Sequence, residues 1–211
     1  MVPLNNSQFF LTSLNRLIES FRRLPGVGPK TAQRLAFYVL KMQEEDVREF
    51  SDSLTDLKSQ IIYCDICQNI SEKVTCEMCI DKTRDDSLIC VVEDPMDIYV
   101  LDKAGIYNGT FHVLHGSISP SRGIGPEELR IKQLIERIEK NTNIKEIIIA
   151  TNLNLEGEAT GMYLQQILSH TKIKITRLAR GLPSGSDIEY ADQTTISHAL
   201  NSRVDINENI K

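Results

Sequence analysis

The sequence predicts a mixed α/β protein built in several parts, and three observations predict it. Apolar residues recur at helical spacing through roughly the first 58 positions, four cysteines crowd between residues 64 and 79, and from residue 87 onward short apolar runs alternate with helical patterns. Alternation of that kind implies a mostly parallel sheet covered by helices. The expected parts are a helical region over residues 1–59, a small cysteine-held segment over 60–82, a parallel α/β domain over 83–180 and a C-terminal segment with one helix over 181–211.

From Ser7 to Lys58 the pattern is helical. Phe10, Leu14, Leu17, Ile18 and Phe21 form one apolar stripe at spacings of three and four. Pro25 to Pro29 interrupts it, and Ala32, Leu35, Ala36, Val39 and Leu40 begin a second stripe. A third helix is expected from Glu44 to about Lys58, with Val47, Phe50, Leu54 and Leu57 as its buried face. Residues 60–82 hold few large apolar side chains, so this segment needs a staple in place of a core. Leu88 to Val92 reads as a buried strand, Pro95 to Ala104 as a helix, and Phe111 to Leu114 as a second strand. Pro126 to Asn141 reads as a helix with Pro126, Glu127 and Glu128 in its first turn, where proline fits and acids complement the dipole. A strand over Glu146–Ala150, a helix over Glu156–Ser169, a strand over Ile173–Leu178 and a last helix over Gln193–Ser202 complete the pattern.

The 211 residues, 41% of them hydrophobic, suffice for one good core or a few small ones. The net charge of -5 excludes a uniformly basic coat and leaves room for a local basic patch. No apolar stretch follows a basic N-terminal region, and no run approaches the ~18 apolar residues that span a bilayer. The expectation is a cytoplasmic protein without a membrane partner. Thiols stay reduced there, so the five cysteines are expected as metal ligands or core residues.

Leu24-Pro-Gly-Val-Gly-Pro-Lys-Thr-Ala32 lies between two helices. Gly26 and Gly28 allow a tight turn and close approach of a ligand, and the first amides of the next helix can meet a phosphate. Lys30 and Arg34 are neighbours one turn apart. With Arg16, Arg22 and Arg23 they make five cations against the single acid Glu19 between residues 16 and 34. This looks like a helix-hairpin-helix, which grips nucleic-acid backbone without reading bases. A dinucleotide loop would follow a strand, and a P-loop would join Gly directly to Lys, which Pro29 prevents. An ordinary loop with a solvated basic face, and a protein-binding hairpin, remain the alternatives.

Cys64-x2-Cys67 and Cys76-x2-Cys79 form two knuckles eight residues apart. Four thiolates complete a tetrahedron with no open position, so one structural ion is expected, Zn²⁺ by default, with an iron–sulfur centre as competitor. Cys90, inside an apolar run, reads as a packed core thiol.

Glu93 ends the first strand of the α/β part, and Ala150-Thr-Asn-Leu-Asn-Leu-Glu-Gly-Glu-Ala159 follows the third. Together they resemble the Toprim domain, whose Glu and Asp-x-Asp carboxylates bind Mg²⁺. Glu93, Glu156 and Glu158 match that pattern, while Asn152 and Asn154 stand where the Toprim pattern has Asp. Two lost charges weaken such a metal site greatly, so the expected protein keeps the fold without the chemistry. The acids that remain can serve as helix-dipole complement, as a docking surface or as a weak metal site.

The order of hairpin, four cysteines and Toprim-like domain resembles the RecR family of bacterial recombination mediators from about Ile18 to Arg203. The matching strings run over Leu24–Phe37, Ile89–Asp97, His115–Gly125, Ala150–Thr160 and Gly181–Asp192, with Ser184 and Ser186 where that family usually has Val and Gly. The resemblance implies a DNA-binding repair protein that is not an enzyme and acts with RecO, in some settings RecF. It would promote loading of RecA on single-stranded DNA coated by single-strand-binding protein, as a dimer or a tetrameric ring around single- or double-stranded DNA, in association with the nucleoid. It implies DNA contacts for Lys30 and Arg34, with Arg22, Arg23, Gly26 and Gly28 beside them. It implies partner contacts near Glu93, Glu156 and Glu158, and a subunit interface near Asp187–Asp192. The competing readings are a Mg²⁺-dependent Toprim nuclease or topoisomerase using the same three acids, and a scaffold whose hairpin binds protein.

Overall fold

The computed structural model describes residues 11–204 of the chain, so Ser7, Phe10 and the outermost parts of the first and last expected regions lie outside it. The chain divides into two compact units, residues 1–61 and 62–211.

The first unit is helical: α1 (Thr12–Arg22), α2 (Pro29–Val39) and α3 (Glu44–Gln60). Ile18 packs on Ala32 and Ala36, with Leu14, Leu17, Phe21 and Val27 around them. Two alanines let α1 and α2 approach closely. Leu40, expected on the α2 stripe, instead caps that helix and is exposed. The face of α3 expected to be buried is not. Val47 is half-buried, and Phe50, Leu54 and Leu57 are 44%, 55% and 59% exposed. α1 and α2 close their small core on each other, so that of the α3 stripe only Val47 comes beside their apolar residues Leu14, Leu17 and Val39, and the other three stay exposed. Periodicity reveals that a face is apolar, not what covers it.

The second unit begins with the cysteine segment. Strands β1 (Ile62–Tyr63) and β2 (Ile70–Ser71) pair antiparallel, and a one-turn helix α4 (Glu77–Ile80) follows. The α/β domain holds β3 (Asp85–Val92), α5 (Pro95–Lys103), β4 (Gly109–Val113), α6 (Ile131–Lys140), β5 (Glu146–Ile149), α7 (Leu155–Leu168) and β6 (Lys174–Arg177). Its four strands run parallel in the order β4-β3-β5-β6. Side chains alternate across β3, so Ile89 and Val91 enter one core with Leu134 and Leu164. Cys90 and Val92 enter the other with Ile98, Phe111 and Val113. Cys90 is thus the packed thiol that its sequence context predicts, and burial pushes it up to about 12.

One helix departs from expectation. Pro126–Glu128 is a separate 3-10 turn, and α6 starts only at Ile131. Leu129 is buried in extended conformation, and the Arg130 amide donates to the Leu114 carbonyl at the end of the sheet. Burying Leu129 and tying Arg130 down breaks the helical path. The C-terminal segment forms a 3-10 turn at Ile188–Tyr190 and α8 (Gln193–Asn201), which Asp192 caps through the Thr195 amide.

Candidate nucleic-acid interface and metal centre

The hairpin of the first unit is made by backbone geometry. Gly26 takes a φ of +79°, a left-handed conformation that a side chain would strain, and the Val27 amide closes the turn on the Leu24 carbonyl. Gly28 is the N-cap of α2, offers no side-chain cap, and has open space where a Cβ would be. The α2 N-terminus therefore faces outward with Lys30 in its first turn. Lys30, Arg34 and Arg23 are exposed, and none of them forms an ion pair with a described residue. Arg22 is bound to Glu19 at 2.7 Å across one turn of α1. The same α2 face carries Tyr38 and Lys41, which the sequence reading missed. Their signal was the i+4 and i+7 spacing from Arg34.

The four cysteines converge. All four Sγ atoms lie within 4.8 Å of one another, and the Cys67–Cys76 separation is 3.5 Å. A tetrahedron with Zn–S bonds of about 2.3 Å has edges of about 3.8 Å, so these donors fit such an ion. Cys64 and Cys67 are fully buried and Cys76 is nearly so. The Cys76 amide donates to Cys64 Sγ at 3.3 Å. The Cys76 thiol is held low by hydrogen bonds from Cys67 and Cys79, and those two are pushed up through the same contacts.

The cysteine segment is anchored to the sheet. The Val113 amide donates to the Cys67 carbonyl at 2.9 Å, and His115 Nε2–H donates to the Gln68 carbonyl at 2.6 Å. The His115 ring also packs on Tyr63, with centroids 4.5 Å apart. Arg137 of α6, half-buried, donates to the Phe111 carbonyl and to Thr110 Oγ1; loss of solvent pulls it below the usual guanidinium value, and the neighbouring sulfurs oppose that by favouring its charge.

The acidic edge is arranged differently. Glu93 and Asn152 follow the adjacent strands β3 and β5 at the carboxyl edge of the sheet, where β4 and β5 diverge to either side of β3. Glu93 is buried, and its two oxygens accept from the Asn152 amide and from Asn152 Nδ2, each at 2.8 Å. Asn154 caps α7 by accepting from the Gly157 amide at 2.8 Å. Glu156 accepts from Arg122 at 2.6 Å and also from the Ser119 hydroxyl. Glu158 binds Arg177 at 2.7 Å and also Arg180. The three acids therefore sit along one edge, each with its own protein donors, and they do not turn toward a common point. Sequence reading missed Arg122, Arg177 and Arg180. Arg177, at the end of a predicted strand, and Arg180, just beyond it, were marked by that place, which delivers them to the same edge.

Among the described residues no helix is long and apolar enough to cross a membrane. Comparison with protein-family models gives three matches: the Toprim domain over residues 87–179, the RecR helix-hairpin-helix over 14–58 and the RecR C-terminal region over 181–204. With the hairpin, the four-cysteine metal-binding cluster and the four-stranded parallel sheet in the same chain, these matches make the protein a member of the RecR family, a DNA-binding family of recombinational repair.

Proposed function

We propose that this chain is a non-catalytic, cytoplasmic mediator. It grips DNA without sequence preference and acts with RecO, and in some settings RecF, to promote RecA loading on single strands coated by single-strand-binding protein. The observation that carries this reading is where charge is left open. Lys30 and Arg34 are exposed one turn apart beside an uncapped helix N-terminus, whereas Glu93, Glu156 and Glu158 already have amide, hydroxyl or guanidinium donors. Exposed cations at a helix N-terminus suit phosphate. Arg22, Arg23, Gly26 and Gly28 border the same surface. Carboxylates satisfied by the protein do not need Mg²⁺, which disfavours the nuclease or topoisomerase reading and leaves Glu156 and Glu158, half-buried in the first turn of α7, as docking residues for a partner.

In this reading Cys64, Cys67, Cys76 and Cys79 hold one Zn²⁺ per chain. The ion is closed to substrate and supplies only structural rigidity to the segment that His115 and Cys67 tie to the sheet. Exposed apolar surface supports assembly into a homodimer or tetrameric ring: Phe50, Leu54 and Leu57 on α3, and Ile188, Tyr190 and Leu200 near the C-terminus.

The test is fluorescence anisotropy of labelled single- and double-stranded DNA with wild type and Lys30→Ala/Arg34→Ala. The double variant is expected to bind about tenfold or more weakly, with a salt slope shallower by about 1.4–1.8 units. Unchanged affinity and slope, with the fold intact by circular dichroism, would refute the role of the hairpin.

A further inference from the structure

We propose that α2 carries a base-stacking platform beside its phosphate-binding cations, so that this face prefers an unpaired strand to a duplex. Tyr38 is the platform, and Lys41 is a third cation in line with Lys30 and Arg34. The proposal rests on the DNA-binding reading of the hairpin and adds the strand state that the site selects.

At 3.6 residues per turn, Phe37, Lys30, Lys41, Arg34 and Tyr38 fall within an arc of about 100°. Ala32 and Ala36, fully buried against α1, lie on the opposite side. The Lys41 amide donates to the Tyr38 carbonyl at 2.9 Å, so the chain keeps its helical path far enough to set Lys41 on this face. The five side chains border a groove of about 840 Å³. Tyr38 is 68% exposed and Phe37 39%. An isolated surface tyrosine means little. Here the helix contains no acidic residue at all, so nothing on the arc opposes a polyanion, and three cations span about 16 Å beside the ring.

A strand that follows those cations places its bases alongside the aromatic rings. Only an unpaired strand can offer a base face to them, because duplex bases are already stacked on each other. Stacking on a tyrosine is indifferent to base identity, which agrees with binding that reads no sequence. The cations grip either form of DNA, and the ring adds affinity to one form only.

The test uses the full chain, a short oligothymidylate and a duplex of equal length, read by anisotropy across a salt series, with solution mass recorded for every variant. Tyr38→Ala should weaken single-strand binding about tenfold and duplex binding about twofold or less, without changing either salt slope. Tyr38→Phe should bind like wild type, because the ring is what stacks. Lys41→Ala should weaken both forms and make both slopes shallower by about one unit or less. Normal single-strand affinity in Tyr38→Ala overturns the platform. So does an equal loss on both forms, or a loss that comes with a change in solution mass, which would make Tyr38 an assembly contact. The two readings fail separately. If Lys30→Ala/Arg34→Ala binds normally, the hairpin reading falls and takes the platform with it; if that variant fails while Tyr38→Ala binds normally, only the platform falls.

Discussion

Two clusters of this chain look like ion cradles in the sequence, and the fold treats them in opposite ways. The four thiols around Cys67 are drawn within 4.8 Å of one another, and all but the half-buried Cys79 are buried. The three acids around Glu93 are held apart, each by its own donors: Asn152 for Glu93, Arg122 for Glu156, and Arg177 with Arg180 for Glu158. Residue type alone does not make a metal site. A site forms where donors converge and the protein leaves their charge uncompensated, and it is lost where neighbouring side chains take the place of the ion.

The sharpest way to break this comparison is at the thiols. Cys64→Ser should abolish metal binding and unfold the segment over residues 62–80, because structural zinc contributes about 10–16 kcal/mol in small peptides. Metal content and thermal melting read it directly, and full metal stoichiometry in the variant would contradict the assignment. At the acids, Gly157→Ala should cost on the order of 4 kcal/mol. A Cβ there would lie 2.1 Å from the Asn152 carbonyl oxygen and 2.6 Å from a Glu93 oxygen, and backbone cannot step aside. A melting temperature near wild type would show the acidic edge to be looser than described.

His112 separates the pH dependence of the fold from that of the thiols. It is fully buried, donates from Nε2 to the Arg130 carbonyl, and is lowered to about 4 by burial. The folded value lies below the unfolded one, so the unfolded chain takes up a proton first. Wild type should therefore lose roughly 3 kcal/mol as pH falls from about 6.5 to 4, with little further loss from this group below. His112→Gln should flatten that part of the stability profile while retaining metal, and an unchanged profile would show that the thiols dominate. Asn152→Asp gives the smallest effect, about 2 kcal/mol near neutral pH. It turns a donor facing Glu93 Oε2 at 2.8 Å into a second carboxylate. Two carboxylates then face each other where a donor and an acceptor now meet, so the loss should be larger at pH 8 than in acid. A variant as stable as wild type at pH 8 would mean that the edge accommodates the extra charge.

Much of this was legible in the sequence where chemistry is local. The cysteine spacing announced a metal cluster, and Pro25 to Pro29 announced a turn that the φ of Gly26 explains. Alternating patterns gave the strands and helices of the parallel sheet. What could not be read was what each face meets in space. The stripe of α3 marked an apolar face but not its lack of a cover, and the Pro126 signal marked a helical turn but not the break that burying Leu129 imposes. The arginines that neutralise Glu156 and Glu158 come from positions 19–34 residues away, a distance over which the sequence pattern carries no pairing information.

The central proposal is that the hairpin region binds DNA while the acidic edge performs no chemistry. The most direct test incubates the purified chain with supercoiled plasmid with and without Mg²⁺, following binding and strand nicking in the same samples. The prediction is salt-sensitive binding in both conditions and intact supercoils throughout. Nicking that requires Mg²⁺ and disappears in Glu93→Gln would contradict it.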